Sequence, residues 1–152
     1  MADTSKISKI VEKWYRSIIQ KEQKDNIVSK DKVELIWGGV FEFDVVVKDK
    51  KGKIIELHCL SCGEAKTATG NQGAAKFNKI KADTLMLMGA ECETKILAFT
   101  GKSMYDKVIK EMENGRMPPN IKLRFEDPKK DKEIYTIIKS IQEASRDEVT
   151  VK

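Results

Sequence analysis

Two runs rich in β-branched and aromatic residues, Val40–Val47 and Ile54–Leu60, flank the short polar stretch Lys48-Asp49-Lys50-Lys51-Gly52-Lys53. No other segment constrains the fold so tightly, because strands joined by so short a connection pair as an antiparallel hairpin. Gly52 is the residue suited to a left-handed turn position. A three-residue loop, Lys50-Lys51-Gly52, gives a type I turn with a G1 bulge and sets Asp49 opposite Lys53. Carried along the strands, that register puts Asp44 opposite His58 and Val46 opposite Glu56. Side-chain alternation then gathers Asp44, Glu56 and His58 on one face. A loop of even length would send Asp44 and Glu56 to opposite faces.

The segments around the hairpin alternate in type. Residues 5–22 predict a helix, with Ile7, Ile10, Val11, Trp14 and Ile18 as its apolar stripe. A polar stretch, Lys21–Lys32, precedes a strand over Val33–Trp37, which Gly38-Gly39 breaks. Residues 73–88 predict a helix with Phe77, Ile80, Thr84 and Leu87 facing inward, and Thr94–Thr100 a buried strand. Ser103 with Asp106 reads as a capping box opening a helix that stops at Gly115, before Pro118-Pro119. Ile121, Leu123 and Phe125 alternate as a strand, Asp127–Asp131 is a loop, and a last helix covers about 131–145. The order αβββαβαβα, in a single domain spanning residues 1–152, implies an α/β fold: a mixed four- to five-stranded sheet flanked by helices.

An acid inside an apolar strand is costly unless something positive holds it, and a divalent metal is the usual partner. Asp44 and Glu56 are therefore candidate metal ligands, and metal-dependent hydrolysis is the chemistry such a pair serves. His58, the only histidine of the chain, can ligate a metal or act as a base. Glu42, two residues before Asp44, is a secondary candidate on the same face.

The order of elements and the placement of these acids resemble the PD-(D/E)xK nuclease superfamily, whose fold is called restriction-endonuclease-like. The resemblance covers roughly residues 5–125. It implies Asp44 and Glu56 as ligands of Mg²⁺ or Mn²⁺, the backbone carbonyl of Leu57 as a further ligand, and phosphodiester hydrolysis, with DNA favoured over RNA as substrate. The superfamily's lysine is replaced by His58, so His58 itself or a migrated Lys66, Lys76 or Lys79 would take over its role. Glu64-Ala65-Lys66 is a second literal Glu-x-Lys, with Glu64 the lesser candidate ligand, and Glu12 matches loosely an auxiliary acid of the first helix. Lys76 and Lys79 are also candidate nucleic-acid contacts. The stretch from Lys66 to Thr100 is similar to nuclease domains of CRISPR ancillary effectors and of Holliday-junction resolvases. A homodimer would supply two sites for cutting two strands, with the final isoleucine-striped helix as its interface or as a cover for the sheet. The substitution of the lysine keeps an alternative open: a catalytically inactive module of the same fold that binds nucleic acid or a protein.

The remaining signals narrow the setting. Lys and Arg number 29 against 24 Asp and Glu, a net charge of +5 that permits a polyanionic partner. No apolar run is long enough for a membrane span, no secretory leader is evident, and three cysteines, an odd number, argue against a disulfide framework. A cytoplasmic location is the expectation. Cys59 and Cys62 form a CxxC that Cys92 and His58 would have to complete for zinc, but strand alternation separates the first two. Gly70–Gly73 before a helix is a candidate phosphate contact without the full P-loop pattern.

Overall fold

The computed structural model describes residues 4–65 and 74–140. In chain order the elements are α1 (Thr4–Glu22), β1 (Ile27–Glu34), β2 (Val40–Lys48), β3 (Ile54–Ser61), α2 (Ala74–Met88), β4 (Thr94–Phe99), α3 (Lys102–Glu113) and β5 (Lys122–Phe125). A 3-10 turn, Pro128–Lys130, leads into α4, described over residues 132–140. The strands form one open sheet of five in the order β1-β2-β3-β4-β5. β1, β2 and β3 are an antiparallel meander, while β4 and β5 add in parallel through the crossover helices α2 and α3. The expected mixed α/β architecture is what the chain adopts.

Each face of the sheet buries its own apolar cluster. Phe77, Ile80 and Leu87 of α2 and Met104 and Val108 of α3 pack with Val46, Leu57, Cys59, Leu97 and Phe99. Val11, Tyr15 and Ile19 of α1 and Ile134 and Ile138 of α4 pack with Val45, Val47, Leu60, Ile96 and Ala98. The described part of the last helix thus covers the sheet. On α1 the fully buried row is Val11, Tyr15 and Ile19, at i, i+4 spacing, and Ile10 is 47% exposed. Of the expected stripe Val11 is buried and Trp14 packs against this cluster, while Tyr15 and Ile19 complete the row.

β1 begins earlier than expected, at Ile27 rather than Val33. Its lysines and Asp31 suit an edge strand, where charge discourages pairing with another chain. α3 lacks the expected capping box: Gly101 is its N-cap and supplies no side-chain bond. The Ser103 amide instead donates to Glu64 Oε2 at 2.8 Å, so the cap is tertiary.

The hairpin turn forms as expected, with Gly52 at φ +83° and the Asp49 amide donating to the Lys53 carbonyl at 2.9 Å. The register beyond it does not follow. Lys48 pairs with Ile54 but Val47 pairs with Glu56, so Ile55 is an extra residue in β3. That bulge shifts every later pair by one: Val46 faces Leu57 and Val45 faces His58.

Candidate functional site

Pairing between β2 and β3 ends at Val45 and His58, while Cys59, Leu60 and Ser61 continue against β4 alone. The sheet forks there, and Asp44 sits in the fork. Its Oδ2 accepts the Leu60 amide at 2.8 Å, replacing a main-chain acceptor that the ladder no longer supplies. Arg16 of α1 donates to the Asp44 carbonyl at 3.1 Å. Burial pushes the Asp44 carboxyl above its usual range, the Leu60 bond opposes that rise, and the charge of Glu12 adds to it. Lys79 and Asp83 of α2 are its other charged neighbours. Lys79 and Asp83 themselves form an ion pair at 2.9 Å.

Glu56 and His58 belong to a different environment. His58 is fully buried, with Nδ1 2.7 Å from the Tyr15 hydroxyl and Nε2 3.0 Å from Glu56 Oε1. A neutral ring satisfies both contacts if Tyr15 donates to Nδ1 and Nε2–H donates to Glu56. Gln23 Nε2 donates to Glu56 Oε2 at 2.5 Å. The His58 bond holds the Glu56 carboxyl below its usual range, burial works the other way, and the Gln23 bond lowers it further. Arg124 closes the network: its guanidinium lies 5.8 Å from the Tyr15 ring centroid and bonds both Glu22 and Glu126. Burial raises the Tyr15 phenol well above its usual range. The result is a hydrogen-bonded brace that ties α1 to the middle of the sheet.

The expected meeting of Asp44 with Glu56 and His58 does not occur. The Asp44 carboxylate is fixed at the Leu60 amide, four residues along β3 from Glu56, or about 13 Å at the rise of a strand. Oxygens sharing one Mg²⁺ or Ca²⁺-sized cation each lie only about 2.0–2.6 Å from it. With Asp44 held by the Leu60 amide and Glu56 by His58 and Gln23, the two carboxylates are engaged at separate places along β3. Leu57 is buried in the sheet, paired with Val46 on one side and Lys95 on the other. Among the described residues no three His, Cys, Asp or Glu side chains converge as metal ligands.

The secondary candidates are dispersed. Glu12 pairs with Lys30 at 2.9 Å, and Glu42 lies half-exposed 3.7 Å from the same lysine. Glu64 is bound to Ser103 at the start of α3. Lys76 lies over Gly63, where an added Cβ would come within 2.6 Å of its Nζ. Lys66 and Gly70–Gly73 are outside the described residues. Cys59 belongs to the α2/α3 cluster and Cys62 borders the α1/α4 cluster, so the CxxC is split between faces. Burial pushes the Cys62 thiol up to about 11.

Tyr15, Asp83 and Arg124 are residues that the sequence reading missed. Asp83 had a signal: it lies between Ile80 and Leu87 on the inward side of α2 and is buried. Tyr15 follows Val11 by one helical turn. Arg124 gave no signal, since its partners are 102 and two residues away in the chain.

One further cluster concerns charge. Lys81 of α2 and Lys107 of α3 both lie over the Phe77 ring, at 4.6 and 4.7 Å from its centroid. Among the described residues neither has a carboxylate within 4.0 Å, whereas Lys30, Lys48, Lys79, Lys102 and Lys130 are paired. No helix among the described residues is long and apolar enough to cross a membrane. No protein-family model matches the chain, and no match was found to a curated protein or a solved structure.

Proposed function

We propose that this chain is a restriction-endonuclease-like domain that binds nucleic acid without cutting it. The element order, a helix, a three-strand meander and a crossover to a parallel strand, supports that fold. The observation carrying the loss of cleavage is the seat of Asp44 at the Leu60 amide, four residues along β3 from Glu56, where β2 and β3 each carry a register irregularity. His58 is enclosed by Tyr15 and Glu56, so it has no route to a substrate. What supports a polyanionic ligand is the meeting of Lys81 and Lys107 over Phe77 with no carboxylate within 4.0 Å among the described residues. Ammonium groups placed so are attracted to phosphates and release the counterions condensed on a nucleic acid.

A labelled single-stranded or duplex oligonucleotide followed by fluorescence anisotropy tests the reading. Affinity is expected to fall as salt rises and to drop in a Lys81→Gln/Lys107→Gln variant, with the strand intact in Mg²⁺ or Mn²⁺. Absence of binding at low salt would overturn it.

A further inference from the structure

At the carboxyl ends of β4 and β5 lies a cleft of about 450 Å³, the size range of small-molecule sites. The chain enters this cleft as Thr100-Gly101-Lys102-Ser103, a strand-to-helix turn that opens α3. Gly101 is required by close packing: a Cβ there would come within 2.1 Å of the Gly63 carbonyl oxygen.

Among the described residues three lysines line the cleft, Lys102, Lys129 and Lys139, and two acids, Glu64 and Asp127. Both acids are engaged locally. Asp127 accepts the Lys129 amide at 3.0 Å, and Glu64 accepts both the amide and the hydroxyl of Ser103. The Glu64 carboxylate shows that the turn accommodates an anion. Among the described residues Lys129 and Lys139 have no carboxylate within 4.0 Å, and Lys102 shares only the exposed Asp106, at 3.2 Å. Phe125 and Tyr135 supply aromatic surface in the same cleft, with the Lys102 ammonium 5.6 Å from the Phe125 centroid and that of Lys139 5.1 Å from the Tyr135 centroid. Ammonium groups beside aromatic walls match a phosphate carried on an aromatic base.

We propose that this cleft binds a nucleoside phosphate, either as a free nucleotide or as the phosphorylated end of a strand. Lys129 and Lys139 pair with the phosphate, Phe125 and Tyr135 flank the base, and Glu64 is a built-in competitor for the anion seat. The inference deepens the nucleic-acid reading above and rests on it for the class of ligand.

The test compares three probes on the full chain by calorimetry or anisotropy: adenosine monophosphate, a short single strand with a terminal phosphate, and the same strand with a terminal hydroxyl. The phosphorylated strand or the nucleotide is expected to bind more tightly than the hydroxyl strand. Lys129→Gln/Lys139→Gln should weaken that binding about tenfold or more, since charge-assisted contacts are lost. Glu64→Gln should strengthen it severalfold by removing the competing charge. Both lysines are exposed, so an unchanged melting temperature will show that the double variant is folded. A preference for the strand over the nucleotide identifies a strand end as the source, and the reverse a free nucleotide. Equal binding of the two strands with no effect of the lysine changes would overturn the cleft while leaving nucleic-acid binding intact. Binding of the nucleotide without any strand would overturn the wider reading and keep the cleft. Binding of none of the probes would overturn both.

Discussion

Tyr15→Phe isolates the brace between α1 and the sheet. The substitution removes one hydroxyl and keeps the ring in place. That hydroxyl lies 2.7 Å from His58 Nδ1, and both side chains are fully buried, so the nitrogen left behind has no solvent to turn to. A buried polar atom stripped of its partner costs about 1–3 kcal/mol. His58→Ala loses the ring as well and leaves the Tyr15 hydroxyl and one Glu56 contact unmet, for a total of about 3–5 kcal/mol. Because the two residues share one bond, the double variant should be less destabilised than the sum of the singles by about 1 kcal/mol. Urea unfolding followed by tryptophan fluorescence, with matched slopes across the variants, reads these differences. A Tyr15→Phe change below about 0.5 kcal/mol, together with additive singles, would refute the brace.

Other perturbations have their own signs. Glu56 has a folded value below its ordinary 4.5, so its contribution is present above that value and is lost as pH falls through the folded one. Glu56→Gln should be less stable than the parent at neutral pH by about 1–2 kcal/mol, the deficit shrinking in acid, as stability measured against pH will show. Asp44 has the opposite sign: its folded value lies above the ordinary 3.8, so its charge disfavours the fold at neutral pH. Asp44→Asn, whose amide oxygen can still accept the Leu60 amide, should be more stable than the parent at neutral pH. That gain should disappear as pH falls below the ordinary value. Gly101→Ala forces a Cβ within 2.1 Å of the Gly63 carbonyl and should lower stability by about 1–3 kcal/mol. Gly39→Ala, with nothing within 4 Å of the added Cβ, is the thermal-melt control and should change little.

Much of the fold was legible because it rests on local patterns. The inward row Phe77, Ile80, Thr84 and Leu87 of α2 is buried as its spacing predicts, and the turn at Gly52 has the expected conformation. The candidate site was less legible because it depended on parity. Ile55 in β3 shifts the pairing that follows it, and Asp44-Val45 in β2 stand opposite one residue of β1; nothing in the runs Ile54-Ile55-Glu56-Leu57 or Phe43-Asp44-Val45-Val46 distinguishes a bulge from regular strand. Tertiary partners were hidden for a related reason. Glu64 caps α3 from 39 residues away, so Ser103 with Asp106 imitated a local box that is not made. At Tyr15 and His58 a polar atom sits inside an apolar cluster, and only the packed structure brings the two together, 43 residues apart in the chain.

Mn²⁺ titration followed by electron paramagnetic resonance, on the parent, Asp44→Asn and Glu56→Gln, tests the central claim most directly. If the acids are held apart, the three proteins will show no tight Mn²⁺ site that depends on both Asp44 and Glu56. A stoichiometric site abolished equally by either substitution would contradict the account.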